Sequence, residues 1–577
     1  MATVADHVIT TLQRSGVHRV YGLPGDSLNG FTDAIRRAEG FTWEHVRHEE
    51  AAAFAAAADA ALTGQLAVCA GSCGPGNLHL INGLFDAQRS RVPVLAIAAH
   101  IPRSEIGSGY FQETHPQELF QECSVYCELV STPEMLPRIL SMAMRAAVEE
   151  NGVAVVVIPG EVFLSKAAES PWSAPVVPTQ SVVRPDDATL ARAASILNGA
   201  NNITILGGAG VAGSHDALLR LADTLQAPVV HALRGKEHIE YDNPFDVGMT
   251  GLLGFSSGYK AIKEADVLLM LGTDFPYQQF YPESATVIQV DIRGRNIGRR
   301  TPVDLGMVGT VADTLAALQP LLARKQDGTH LQRCVHHYRK TRASLDSLAV
   351  NDRDKTPIRP EYVAAQASEL AAADAVFTVD VGSPVVWAAR YLTMNGRRRL
   401  LGSFNHGTMA CALPLAIGAQ TVDRSRQVVA FAGDGGLAMA FGELITLVQN
   451  RLPVKLVVFN NSSLNFVELE MKAAGIVNYG TELQNPDFGA VAQALGMFGR
   501  RVERPGDLDA ALADAFAYDG PAVVDVVTAR QELSIPPAIT VEQAKGFSLY
   551  AIRTILAGHA DELLDLVSTN VARRILD

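Results

Sequence analysis

A chain of 577 residues, 48% hydrophobic and 19% charged, is large enough for three or four cores at roughly 150 residues each and too apolar to be mainly disordered. Its 48 Lys and Arg against 61 Asp and Glu give a net charge of −13, with no basic block anywhere. That balance argues against a nucleic-acid partner and favours solubility.

Met1 to Arg14 lacks the charged-then-apolar layout of a secretory signal. Short apolar runs then alternate with helical stretches, the pattern of α/β architecture. Arg19–Tyr21, Ala67–Ala70, Val94–Ala98 and Val153–Ile158 predict strands, and the Ala-rich Glu50–Thr63 predicts a helix. The most apolar runs, Val92–Ile101 and Val153–Pro159, fall far short of the roughly 20 residues of a membrane helix and suit buried parallel strands. Pro171 to Pro185 holds four prolines and predicts a linker. In a second unit Ile203–Leu206, Pro228–His231, Val267–Leu271 and Val287–Ile292 predict strands, and the charged stretch Ala323 to Asp354 predicts a helix and a loop. In a third, Ala375–Val379, Gln427–Ala432, Val454–Asn460 and Ala522–Val527 predict strands. The tail from Gln531 to Asp577 lacks this alternation. Six cysteines, two pairs of them at CxxxC spacing (Cys69/Cys73 and Cys123/Cys127), match no common zinc pattern and read as reduced structural thiols of a cytoplasmic protein.

The strongest local signal lies in the third unit. Gly433-Asp434-Gly435-Gly436 follows a strand and opens a helix, and Asn460-Asn461-Ser462-Ser463 ends the next strand. Asn461 lies 27 positions after Asp434, room for one helix and one strand, so both reach the carboxyl edge of a parallel sheet, where ligands bind. A carboxylate, an amide oxygen and a nearby backbone carbonyl make a hard oxygen site suited to Mg²⁺ and diphosphate. The glycines allow close backbone approach, and a helix N-terminus favours negative charge. Either segment alone is equally a surface turn. Together they resemble the binding motif of thiamine-diphosphate (ThDP) enzymes: GDG, a gap of between 20 and 30 residues, then NN.

That resemblance makes further demands. A carboxylate must hydrogen-bond the cofactor's pyrimidine, and the family places it in an R-H-E sequence at a strand end. Arg47-His48-Glu49 matches it, with Glu49 at the catalytic position. Met409, in the loop of Gly407 and Thr408, resembles the bulky wedge under the cofactor. Asp380-Val381-Gly382-Ser383-Pro384, after a strand, resembles the first diphosphate loop. Longer strings, Cys69–Gly83, Glu105–Pro116, His231–His238, Gly248–Ser257, Gly402–Gly407 and Ala544–Tyr550, extend the resemblance over nearly the whole chain to the bacterial quinone-dependent pyruvate oxidases.

Membership implies three doubly wound parallel-sheet domains: a pyrimidine-binding domain over 1–180, an FAD-binding domain over 183–335 and a diphosphate-binding domain over 336–530. It also implies a membrane-binding helical tail over 531–577. ThDP, Mg²⁺ and FAD are the implied cofactors. Asp434, Asn461 and the carbonyl of Ser463 are the implied Mg²⁺ ligands, with Gly435, Gly436, Ser462, Leu464, Asn465, Phe466 and Val467 lining the cofactor. Phe111, Gln112, His79 and Val381 surround the substrate, and Phe466 matches a Phe that assists electron transfer to flavin. Asn465 stands where that family has Gly. FAD contacts fall at Arg234, at Thr250, Gly251, Leu252 and Leu253, at Thr273, Asp274, Phe275, Pro276 and Tyr277, and at Asp291. Gly208-Ala-Gly210-Val-Ala-Gly213 matches GxGxxG, but the next strand ends at His231–Arg234 without the acidic residue an NAD site wants.

In the tail, Leu563, Leu564, Leu566, Val567, Val571, Ile575 and Leu576 recur at helical spacing, so an amphipathic helix is expected. It packs on protein or, as the family implies, binds a phospholipid surface at the inner face of the cell membrane; Val571 replaces a family Trp. The implied assembly is a homotetramer with ThDP sites between subunits. The implied reaction is oxidative decarboxylation of pyruvate to acetate and CO₂, with electrons passing through FAD to a membrane quinone. Open alternatives are an oxygen- and phosphate-dependent oxidase making acetyl phosphate, an acetolactate-forming carboligase and a lipid-surface scaffold without activity.

Overall fold

The computed structural model describes residues 2–169, 172, 174–179, 181–351, 356–530 and 549–550. It contains three six-stranded sheets, parallel throughout. The first joins β1 (Arg19–Gly22), β2 (Thr42–His45), β3 (Ala67–Gly71), β4 (Val94–His100), β5 (Tyr126–Leu129) and β6 (Val153–Pro159) in the order 2-1-3-4-6-5. The second joins β7 (Ile203–Gly207), β8 (Val229–His231), β9 (Asp246–Met249), β10 (Val267–Leu271), β11 (Thr286–Asp291) and β12 (Leu305–Val308) in the order 12-11-10-7-8-9. The third joins β13 (Val376–Val379), β14 (Arg399–Gly402), β15 (Val428–Gly433), β16 (Lys455–Asn460), β17 (Phe498–Val502) and β18 (Ala522–Val527) in the order 14-13-15-16-18-17. The expected α/β class with three parallel-sheet domains is the observed one.

Eight helices position the candidate site: α1 (Glu49–Thr63), α2 (Pro75–Ser90), α3 (Thr329–Asp346), α4 (Ser383–Tyr391), α5 (Ala412–Val422), α6 (Asp434–Met439), α7 (Glu443–Gln449) and α8 (Asn465–Ala473). The described part of the Pro171–Pro185 segment has neither helix nor strand. The division expected at 335/336 falls inside α3, which touches the second domain at Ser256 and the third at Arg390. The tail helix expected over 560–577 lies outside the described residues.

The first and third domains share one hydrophobic core, and α1 is its centre. Residues Ala51 to Ala58 of α1 are all buried, which is the reason for a helix apolar on every side. Alanine keeps the helix thin, and glycine completes the fit on both flanks. A Cβ on Gly83 of α2 would stand 2.5 Å from Ala53 Cβ. A Cβ on Gly418 of α5 would stand 2.1 Å from the Ala55 carbonyl oxygen. Backbone-to-backbone packing thus fixes α1, and with it Glu49 at its first turn, against both domains.

Candidate active site

At the carboxyl edge of the third sheet, β15 leads into α6 through Gly433 and Asp434. Asp434 is buried, and its Oδ2 accepts the Ser462 N–H at 2.7 Å and Asn485 Nδ2 at 2.8 Å. Its Oδ1 accepts the Gly435 N–H at 2.9 Å. Burial raises the Asp434 pKa, and these donors oppose the rise. Asn461 Oδ1 accepts the Ser463 N–H at 3.1 Å, so the turn after β16 is tied both to itself and to Asp434. One carboxylate, one amide oxygen and the Ser463 carbonyl stand in neighbouring turns, a donor set that fits Mg²⁺. Asn485, which also bridges to Asn460 Oδ1 at 3.0 Å, belongs to no motif, and sequence spacing gives no pointer to it.

Glycine is required where these turns meet. A Cβ on Gly436 would lie 2.2 Å from Asp380 Oδ2, and one on Gly435 would lie 3.0 Å from Leu464 and 3.2 Å from Met409 Cε. Met409 Cε therefore lies against the GDG turn. Asp380 accepts the Ala412 N–H at 2.8 Å and the Gly433 N–H at 3.3 Å, and burial pushes its pKa up to about 6. It fixes the start of the Val381–Ser383 loop, where Gly382 has φ +127°. Ser383 Oγ donates to Asn465 Oδ1 at 3.0 Å, which joins that loop to α8. Phe466 packs against the third-domain core, and Val467 is exposed.

The Gly407–Met409 loop hangs from Ser403. Ser403 Oγ accepts the N–H groups of Gly407 at 3.2 Å and Thr408 at 3.3 Å and donates to Asp86 Oδ1 of α2 at 2.8 Å. Asn82, one turn earlier on α2, donates to Glu50 Oε1 at 2.6 Å and to Thr408 Oγ1 at 3.3 Å. These bonds hook the first domain to the third-domain loop.

On the first-domain side Glu49 is 5% exposed. His79 Nδ1 lies 2.9 Å from Glu49 Oε2, and the His79 ring stacks on His48 with centroids 4.2 Å apart. Glu49 Oε1 would be 3.0 Å from a Cβ on Gly76. Gln112, at φ +61°, lies against Gly74 and accepts a hydrogen bond from Cys73 Sγ at 3.3 Å. Glu49, His79 and Gln112 therefore gather around the start of α2. Phe111 projects with 78% of its surface exposed. Among the described residues no hydrogen bond joins Glu49 to the Asp434 turn, so the predicted site forms two clusters in this single chain.

The predicted flavin residues share one edge of the second sheet. Arg234 follows β8, Thr250–Leu253 follow β9, Thr273–Tyr277 follow β10 and Asp291 ends β11. That carboxyl edge is where doubly wound sheets bind ligands. Thr250 Oγ1 is buried with no protein partner, a polar atom that a ligand would satisfy. Asp291 is buried and accepts the Arg293 N–H at 2.8 Å and Asn296 Nδ2 at 3.1 Å, both through Oδ1. Asp274 pairs with Arg300 at 2.8 Å, and Phe275 packs edge-on against Tyr277. Arg234 Nη2 donates to the Ser90 carbonyl of α2 at 2.8 Å. Gly251, at φ +97°, lies against the Phe275 ring, Leu252 packs in the second-domain core and Leu253 against the third. Pro276 is exposed beside them. This set fits an extended dinucleotide. The glycine pattern has a different cause: Cβ atoms on Gly208 and Gly210 would stand 2.6 and 2.7 Å from the Gly272 backbone, so those glycines let two loops touch.

Three sheets of this order, with a buried GDG carboxylate, an Asn amide and a wedge Met at one edge, define a ThDP-type enzyme. Comparison with known proteins agrees. Thiamine pyrophosphate enzyme domains match in order: the N-terminal TPP binding domain over 2–120, the central domain over 190–318 and the C-terminal TPP binding domain over 380–526. The chain is 37% identical over 565 residues to YdaP of Bacillus subtilis, whose name carries a provisional assignment as a thiamine pyrophosphate-containing protein; 98% of each chain is covered. It is 31% identical to pyruvate oxidase of Lactiplantibacillus plantarum, covering 90% of this chain and 87% of that one. It is also 31% identical to the acetolactate synthase isozyme 2 large subunit of Escherichia coli, covering 90% and 95%. The chain belongs to the thiamine pyrophosphate enzyme family.

Proposed function

We propose that this enzyme oxidatively decarboxylates pyruvate to acetate and CO₂, using ThDP, Mg²⁺ and FAD, and delivers the electrons to a membrane quinone. The observation that carries the reading is that one chain holds both halves of the site: Glu49, buried and held by His79 at the head of α1, and Asp434, Asn461 and Met409 at the carboxyl edge of the third sheet. The long strings that resemble those of quinone-dependent pyruvate oxidases favour the oxidase over the carboligase.

When bound, ThDP supplies a nucleophilic carbon and an electron sink, and FAD accepts two electrons. The chain's residues do the rest. Asp434, Asn461 and the Ser463 carbonyl hold Mg²⁺. Gly382, Ser383, Gly435 and Gly436 offer backbone to the diphosphate, and Met409 shapes the space above them. Glu49 holds or moves a proton at the oxygen His79 leaves free. His79 and Gln112 orient the substrate's polar end. Val381, Phe466 and Phe111 give its methyl a small apolar wall and exclude water. Arg234, Thr250, Thr273 and Asp291 hold the flavin. The assembly in this reading is a homotetramer, with Glu49 serving the partner subunit's cofactor, peripheral at the inner face of the cell membrane through the tail of residues 531–577.

The test is anaerobic. Pyruvate is added to protein loaded with ThDP, Mg²⁺ and FAD, and flavin absorbance is followed; quinone is then added with and without phospholipid vesicles. Bleaching followed by lipid-enhanced reoxidation is expected. Acetolactate formed over an unbleached flavin would replace the reading with a carboligase. Peroxide and acetyl phosphate formed in step with pyruvate use in air would replace quinone with oxygen.

A further inference from the structure

Helix α7 lies in the gap between the GDG and NN ends of the ThDP motif, and one of its faces is spent on the segment that delivers Glu49. Glu443, Thr446, Gln449 and the capping Asn450 recur at helical spacing. Glu443 is 2% exposed, and the Arg47 N–H donates to its carboxylate, to Oε1 at 3.0 Å and to Oε2 at 3.3 Å. Thr446 Oγ1 donates to Glu443 Oε2 at 2.6 Å. Arg47 Nη2 donates to Gln449 Oε1, and Asn450 Nδ2 donates to the His45 carbonyl at 2.8 Å. Glu443, Gln449 and the capping Asn450 thus grip the main chain and side chain of 45–48, the last turn before Glu49.

A buried carboxylate is an unusual choice for a mere domain contact. Desolvation makes it costly, and burial does raise its pKa. What it gains is the Arg47 main-chain N–H just before the N-cap of α1, together with the Thr446 hydroxyl. His48 caps the helix by accepting the Glu50 N–H at 3.2 Å, so the φ/ψ of residues 47 and 48 set where Glu49 points.

We propose that Glu443 is a positioning residue for Glu49: from the third domain it fixes the 47–48 backbone, and through it the orientation of the Glu49 carboxylate. The inference rests on the reading of Glu49 as the proton-handling group. It goes beyond that reading by making the head of α1 depend on α7. Glu443 acts only by holding the main chain, without touching substrate or cofactor.

The experiment uses the full chain carrying Glu443→Ala and Glu443→Gln. Three readouts are taken: kcat and KM for pyruvate, the calorimetric Kd for ThDP with Mg²⁺, and hydrogen–deuterium exchange of the amides of 46–52. Misplacement of a catalytic group by about 1 Å costs on the order of 100-fold, so Glu443→Ala is expected to lower kcat between about 10- and 100-fold. KM and the ThDP Kd should stay within about threefold, because Asp434, Asn461 and Met409 are untouched. Exchange at the Arg47 amide should rise at least about tenfold, since it loses its acceptor. Glu443→Gln keeps one acceptor oxygen and should recover most of kcat and of the protection. Wild-type kcat with wild-type protection in Glu443→Ala overturns the proposal, and so does loosened exchange with unchanged kcat. If Glu443→Ala does not fold, Asn450→Ala, which removes only the His45 bond, is read in the same three ways. If wild-type protein shows no ThDP-dependent turnover, the functional reading falls, while the exchange measurement still decides whether Glu443 holds the head of α1.

Discussion

A tight backbone contact in the core shared by the two cofactor domains offers the sharpest perturbation. Gly418→Ala places a Cβ 2.1 Å from the Ala55 oxygen and 2.7 Å from Ala55 C and Cα. An ordinary C···O contact is more than about 1 Å longer, and the obstacle is helical backbone, which cannot rotate away as a side chain does. Helices α1 and α5 must separate. Overpacking a core typically costs about 1–3 kcal/mol, and a backbone clash belongs at the upper end, about 3 kcal/mol. At roughly 2–4 °C per kcal/mol for domains of this size, the midpoint of thermal unfolding should fall by about 6–12 °C. Because α1 carries Glu49, kcat should fall as well, by about tenfold or more at temperatures where the variant is folded. The control is Gly506→Ala, at a helical glycine with nothing within 4 Å and no positive φ. Alanine there should leave the midpoint unchanged or raise it slightly. Differential scanning calorimetry and steady-state assays on both variants decide it. A Gly418→Ala protein with wild-type midpoint and kcat would refute backbone packing as what fixes α1.

Glu49→Gln should keep the wild-type midpoint within about 2 °C while lowering pyruvate turnover at least about 100-fold, checked by calorimetry and a CO₂ assay. Asp434→Ala should raise the Kd for Mg²⁺ by at least about tenfold at fixed ThDP, read by calorimetric titration. Asp86, pushed up to about 6 by burial, binds its proton more tightly folded than unfolded. Its contribution to stability is therefore full below about pH 4 and lost as pH rises through about 6. The midpoint of Asp86→Asn minus that of wild type should accordingly climb between about pH 4 and pH 7; a flat difference would show that Asp86 does not titrate there.

How much of this is legible in the sequence follows from where each strand lies. The strands read correctly, such as Val94–His100 and Val153–Pro159, are interior ones covered on both faces, and they appear as unbroken apolar runs. The strands missed are β2, β5, β9, β12, β14 and β17, each at the edge of its sheet. Edge strands such as Thr42-Trp-Glu-His45 and Phe498-Gly-Arg-Arg-Val502 have part of their surface in water, so they carry charge and glycine and lose the apolar signature. The site divides in the same way. Asp434 and Asn461 are close in sequence and follow strands, so a spacing rule reaches them. Asn485 and the pairs Asp86–Ser403 and Glu443–Arg47 join distant segments. Their partners stand as much as 396 positions apart, and no local pattern announces them. The glycines of 208–213 were legible as a motif, but the second sheet uses two of them to let Gly272 approach.

The shared core of the first and third domains has a consequence for synthesis of the chain. Helix α1 is apolar on all sides, and one of its covers, α5, begins at Ala412, about 350 residues after α1 ends. At translation rates of about 5–20 residues per second, that cover arrives roughly 20–70 s after the helix it must cover. A complete first sheet therefore waits on the ribosome with the face of α1 around Ala55 exposed to water, through the whole synthesis of the second domain. In that interval the nascent chain presents a smooth alanine strip to chaperones and to neighbouring nascent chains on the same messenger, before its own third domain exists to cover it.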